Sequence, residues 1–186
     1  MKASNRKQRN TISGVMDESN TWQESDDKIF EVIITYYQNL FTTSQTDISD
    51  EFLEAIKPGV TPQMNSSLIR DFSVAEVKKA LDQMYPLKSP GLDGMFPLFY
   101  QHFWPIVRDS VVTCVLKFLN NGTTPHNFHE THIVLIPKVK SPTKVSEYRP
   151  ISLSNVVYKL ASKVLANRLK TCIPSLITEN QSVFSI

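Results

Sequence analysis

Apolar positions recur at helical spacing along most of this chain and give way to a short β-branched run in one place, which predicts helices around a single β-ribbon. Residues 1–22 are polar and show no periodicity, so they are expected to form a loose tail or the remnant of a connection. Ser25-Asp26-Asp27 then supplies an N-cap and first-turn acids, and Ile29, Val32, Ile33, Tyr36, Leu40 and Phe41 trace one face, predicting a helix over 25–42. Thr42 to Gly59 carries polar turns and a short helical stretch, Asp50 to Ile56, before Thr61-Pro62 opens another helical segment. A stronger start follows at Phe72: Ser73 and Glu76 are spaced as a capping box, with Phe72 and Val77 placed to staple across it. That helix is expected to reach Met84 and to bury Val74, Val77, Leu81 and Met84.

Lys88-Ser89-Pro90-Gly91-Leu92-Asp93-Gly94 concentrates turn residues, predicting a tight loop with positive-φ positions and Asp93 as a cap. The next helix starts near Pro97, with Phe96, Phe99, Tyr100, Phe103 and Trp104 forming an aromatic face suited to core packing or to stacking on bases. Pro105 interrupts or restarts it. A second stretch then carries Ile106, Val107, Val111, Val112, Val115, Leu116 and Leu119 until Asn121-Gly122 stops it. Ile133 to Ile136, bounded by Pro137, reads as a buried strand, and Tyr148 to Leu153 as its partner across a polar connection. Ser154-Asn155 opens a last long helix to about Thr171 that buries Val157, Leu160, Val164, Leu165 and Leu169, exposes Lys159, Lys163, Arg168 and Lys170, and ends before Pro174. The fold class is therefore α+β, mostly helical, with a short antiparallel β-ribbon packed against helices.

Composition changes this picture only slightly. A chain of 186 residues, 41% hydrophobic, has enough apolar surface for one or two cores. The sequence contains no uninterrupted apolar run of membrane-spanning length, and its first ten residues lack the apolar stretch of a signal peptide, so an intracellular, non-secreted location is expected, the nucleus included, with no membrane partner. Cys114 and Cys172 fall in helical patterns and read as buried free thiols. His126, His129, His132 and Glu130 match no Cys/His metal framework, so no metal site is assigned to them.

Charge is segregated. Residues 17–57 hold ten acids against Lys28 and Lys57, whereas Thr131 to Cys172 holds eight basic residues against Glu147 alone. That block is the best nucleic-acid-facing surface in the chain. Within it, Lys138 and Arg149 stand where the two strands meet their connection, close enough in a ribbon to hold one polyanion between them. A merely solvated hairpin is the alternative reading.

Leu-Ile-Pro-Lys (Leu135 to Lys138), followed by Tyr-Arg-Pro-Ile-Ser-Leu (Tyr148 to Leu153), Tyr158-Lys159 and the helix Ala161 to Lys170, resembles the reverse transcriptase of plant LINE-type, non-LTR retrotransposons. Lys88 to Trp104 resembles that family's first conserved block, and Tyr36 to Phe41 the segment before it, so the likeness spans nearly the whole chain. The resemblance implies that Lys138 and Arg149 hold the triphosphate of an incoming nucleotide, and that Lys88, Asp93, Lys159 and Lys163 contact an RNA or DNA template-primer. It also implies a division into a tail (1–22), a helical segment preceding the polymerase (23–70) and a partial reverse transcriptase domain (71–186), the fingers and the start of the palm.

In that family the polymerising aspartates stand in blocks downstream of Asn-Gln-Ser-Val-Phe, and this sequence ends at Ile186. Two divalent metals roughly 4 Å apart need a cluster of carboxylates. The expectation is thus a fingers-side fragment with no catalytic residue, no metal ligand and no cofactor of its own, magnesium belonging to the complete family enzyme. It would bind template-primer weakly and be inactive alone. A nucleic-acid-binding or interaction module, domesticated from such an element, is the alternative.

Overall fold

The computed structural model describes residues 11–43, 59–126 and 128–177. The helix expected over Asp50 to Ile56 lies outside them. The chain is about half helical with two small antiparallel two-stranded sheets, the α+β class expected. It divides into two compact units that interleave along the chain, one comprising Met1–Ser49 and Ile133–Ser152, the other Asp50–His132 and Leu153–Ile186.

The first unit opens with a hairpin. Strand β1 (Val15–Met16) pairs antiparallel with β2 (Trp22–Gln23), Val15 opposite Gln23 and Met16 opposite Trp22. The Asp17 carboxylate shapes the turn by accepting from the Ser19 and Thr21 amides, the Ser19 hydroxyl and the Gln23 side chain, which holds its pKa at about 2. Asn20 takes the left-handed conformation at φ 58°. Helix α1 (Asp26–Phe41) follows, beginning and ending within a residue of the expected bounds. Its Ile29 packs with Val15 and Val145 in a small core that Ile12, Val32, Ile33, Tyr36 and Tyr37 complete. Residues 11–22 are therefore built into the fold: Val15 is only 1% exposed, where a loose tail was expected.

The second unit is a helical bundle. Helices α2 (Pro62–Ile69), α3 (Val74–Asp82), α4 (Pro97–His102) and α5 (Trp104–Asn121) precede the ribbon, and α6 (Val156–Leu169) and α7 (Ile173–Leu176) follow it. Thr61 caps α2 through the Met64 amide. The capping box of α3 is present, Ser73 and Glu76 bonding reciprocally. Pro105 restarts the chain as α5, which Gly122 ends at φ 67°. Helices α3, α5 and α6 close around Val77, Leu81, Val115, Val156, Leu160 and Val164, all essentially without exposure.

Side-chain amides tie this bundle where its backbone would otherwise be unpaired. Asn120 both accepts from the Phe72 amide and donates to the Phe72 carbonyl, and Gln101 donates to the Leu81 and Met84 carbonyls at the end of α3. Three apolar positions expected to be buried are exposed: Val74, Leu165 and Leu169. Ala80, Ala161 and Phe128 take the core places instead, Phe128 against Phe118 and Tyr158.

The ribbon comprises β3 (Thr131–Pro137) and β4 (Tyr148–Ser154). It is not the buried strand pair expected. Ile133, Val134, Ile136 and Ile151 are each more than a third exposed, because each strand of a two-stranded ribbon has a single neighbour and two faces to cover.

Candidate nucleic-acid interface

The polar connection of the ribbon is a tight, self-bonded turn. The Lys138 amide donates to the Glu147 carbonyl at 2.8 Å, and the Glu147 amide to the Lys144 carbonyl at 3.0 Å. Glu147 turns its carboxylate back on the same turn, accepting from the Thr143 amide at 2.7 Å and the Lys144 amide at 3.1 Å. Those amide bonds lower its pKa. The single acid of the basic block is thus occupied with backbone.

Continuing the antiparallel ladder from the 138–147 pair sets Ile136 opposite Arg149 and makes Lys138 and Arg149 diagonal neighbours on one face, a separation of about 7–8 Å between residues. Tyr148, which alternates with Arg149, is buried on the other side at 5% exposure. Both cations are exposed. Lys138 spends one of its three N–H donors on the Ser146 carbonyl at 2.7 Å, which pins the ammonium over the turn. Arg149, among the described residues, has no hydrogen bond or ion pair and keeps its whole fork free.

The other four expected contacts lie in the second unit, and one loop gathers three of them. Gly91 approaches the backbone of Asn155 so closely that an added Cβ would lie 2.5 Å from the Asn155 nitrogen. This contact, rather than a positive φ, is what requires glycine there; the positive φ belongs to Gly94. Asp93 does not cap α4, since its carboxylate accepts from the Met95 amide at 3.1 Å within the loop. Lys159 reaches from α6 to the Ser89 carbonyl at 2.7 Å. Its pKa is lowered by partial burial and by the neighbouring Lys88, with Asp93 opposing. Lys88, Asp93 and Lys159 therefore form one cluster, and Lys163 stands one turn further along α6, half-buried.

Arg168 departs from the expectation of an exposed cation, being 7% exposed. Its guanidinium stacks 3.4 Å from the centre of the Phe72 ring and directs every N–H to an acceptor. Nε and one Nη hold the two oxygens of Glu76 at 2.7 and 3.0 Å, while the remaining donors reach the carbonyls of Leu68, Arg70 and Asp71. Glu76 is held at a pKa of about 2, chiefly by Arg168. Arg168 is thus structural, and the basic block presents one cation fewer.

Among the described residues, no three His, Cys, Asp or Glu side chains gather as a metal site requires. No helix among them is long and apolar enough to cross a membrane. A cavity of about 850 Å³ in the first unit, lined by Trp22, Lys140 and Tyr148 among others, has no signature in the sequence.

No protein-family model matches the chain. It is similar to transposon proteins of animals. It is 29% identical over 183 residues, 97% of its length, to the transposon TX1 uncharacterized 149 kDa protein of Xenopus laevis. It is 26% identical over 149 residues to the retrovirus-related Pol polyprotein from the type-2 retrotransposable element R2DM, and 25% identical over 142 residues to a probable RNA-directed DNA polymerase from transposon BS, both of Drosophila melanogaster. The chain spans only 13–15% of the length of these relatives. The proteins it is similar to are thus products of transposable elements, two of them named as a Pol polyprotein and a probable RNA-directed DNA polymerase.

Proposed function

We propose that the chain is the fingers-side portion of an RNA-directed DNA polymerase of a non-LTR, LINE-type retrotransposon, holding phosphates of a nucleotide with Lys138 and Arg149. In this reading Lys88, Asp93, Lys159 and Lys163 lie along the template-primer. The finer placement, in a plant LINE-type element, rests on the motifs around Lys138, Arg149 and Gly91; the related proteins named above are from animals.

The observation that carries the proposal is the ribbon turn. Two exposed cations stand diagonally on one face while the nearest acid is committed to backbone amides, so the local field stays positive. Fixed cations suit phosphates that gain negative charge as a bond breaks, but binding is all that these groups accomplish by themselves. Lys159 and the Gly91 loop have a second task here, because the lysine ties the loop to α6 and presents Lys88 and Asp93 from a fixed backbone.

The test is salt-dependent binding of a labelled single strand, followed by anisotropy. Each phosphate contact contributes about 0.7 to the slope of log affinity against log salt for single strands, so replacing Lys138 and Arg149 by glutamine should lower that slope by up to about 1.4. An unchanged slope and affinity would reject the ribbon as the phosphate-holding surface.

A further inference from the structure

We infer that the cavity beside Trp22 takes an unpaired base of a single-stranded nucleic acid, stacked on the indole, with the strand's phosphate at Lys140. The inference rests on the nucleic-acid-binding reading above and adds to it a base-contacting site on the N-terminal hairpin.

The cavity lies wholly within the first unit and is lined by Trp22, Pro137, Val139, Lys140, Pro142 and Tyr148, with further hydroxyl-bearing residues. At about 850 Å³ it exceeds what one base requires. The Trp22 ring is held in place on one side by Gly14, whose backbone is so near that an added Cβ would lie 2.5 Å from the indole Cε2. Its Nε1–H donates to the Glu24 carboxylate at 3.0 Å, which fixes the ring's rotation. Trp22 nonetheless remains 39% exposed. A large apolar ring that is held in place and still partly exposed loses little entropy on stacking a ligand.

Aromatic and proline walls suit either a base or a proline-rich peptide, and the charge decides between them. Lys140 is exposed and, among the described residues, has no ion pair. Glu147, the only acid between Thr131 and Cys172, is bonded to the Thr143 and Lys144 amides. Glu24 lies at the Nε1 edge of the indole, where its oxygen accepts the hydrogen bond of the ring N–H. A polyanion carrying free π-faces matches this floor and rim. A duplex does not, because its bases are already stacked on one another.

The chain has two tryptophans, so Trp104→Phe leaves Trp22 as the sole indole reporter in an otherwise unchanged chain. Oligothymidylate, an abasic strand of equal length and a proline-rich peptide are titrated against it at one salt concentration. Quenching of Trp22 by oligothymidylate, with affinity at least about 5-fold above the abasic strand, is expected. In the parent chain Trp22→Leu should reduce oligothymidylate affinity to the abasic level, while Trp22→Phe, which keeps a stacking ring, should retain most of it. Equal affinity for the two strands without quenching overturns the stacking site and leaves the phosphate-binding ribbon standing. Salt-sensitive binding absent for both strands overturns the ribbon reading and this inference with it. Quenching by the peptide alone overturns the nucleic-acid assignment of the groove. Should Trp22→Leu lose its circular dichroism signal, the Trp22→Phe variant and the quenching titration decide the matter.

Discussion

Replacing Arg168 by methionine should destabilise the helical unit by about 3 kcal/mol at neutral pH, although the change keeps an unbranched apolar stem. The guanidinium carries five N–H groups, and all five are used. Removing them leaves Glu76 without its bidentate partner and strips the Leu68, Arg70 and Asp71 carbonyls of a donor. Breaking a buried ion pair from one side costs about 3–5 kcal/mol. Glu76 is 21% exposed and also accepts from Ser73 and Arg70, so its charge is partly compensated and the lower end of that range applies. Against a domain stability of about 5–15 kcal/mol this is a large fraction.

The pH dependence gives an independent measure. Glu76 is held at a pKa of about 2 against an ordinary 4.5. A depressed carboxylate pKa stabilises the fold above its unfolded value, and that contribution is lost as pH falls through 4.5 toward 2. The shift corresponds to about 3 kcal/mol at pH 7 and roughly 1.4 kcal/mol at pH 3. Urea unfolding in a Trp22→Phe background, followed by Trp104 emission, reads the second unit. The gap between Glu76 and Glu76→Gln should shrink by more than half between pH 7 and pH 3. A gap that is constant with pH, or an Arg168→Met protein as stable as its parent at pH 7, would refute the argument.

Gly91→Ala should force the loop off Asn155, lowering the melting temperature by several degrees and weakening strand binding through Lys88, since the added Cβ meets the backbone of Ser154 and Asn155 as well as the Asn155 side chain; an unchanged melt would show that the loop gives way freely. The purified 186-residue chain should extend no primer with magnesium or manganese, because no described carboxylates cluster as a two-metal centre needs; incorporation that tracks the chain through purification would disprove this.

The parts of the fold set by local chemistry were legible in the sequence. Ser73 with Glu76, Thr61 before Pro62 and Gly122 after Asn121 act within four residues of themselves, and all three helix termini fall as read. The hairpin around Val15 was not legible, since two-residue strands are too short to show a period and its turn is built by one Asp17 side chain. Phe128 entered the core from a loop, where periodicity has nothing to say. The burial of Arg168 did leave a trace. Leu160, Val164 and Arg168 step by four along the buried stripe of α6, whereas Leu165 and Leu169, assigned to that stripe by hydropathy, are exposed. Side-chain type overruled spacing in the reading, and spacing was the better guide. The positions of Lys138 and Arg149 followed from the strand boundaries, while the pinning of Lys138 by Ser146 depends on the fold of the turn.

Charge counting treats Glu147 and Arg168 as equal and opposite entries in one block, yet the structure removes both from the surface field by different routes. Arg168 is withdrawn by burial, its donors saturated by Glu76 and three carbonyls. Glu147 stays near solvent but is turned onto the Thr143 and Lys144 amides, whose partial positive charges offset it at close range. What a phosphate would meet at the ribbon turn is therefore Lys138, Lys140, Lys144 and Arg149 with their nearest acid locally compensated. A Glu147→Gln substitution bears directly on this. If the acid is already offset, removing its charge should change strand affinity little, while loosening the turn that positions Lys138. If Glu147 instead competed with phosphate for the lysines, affinity would rise several-fold at low salt. A modest fall in affinity with an unchanged salt slope is expected, and a rise would show that the turn's acid acts as a counter-charge to the binding surface.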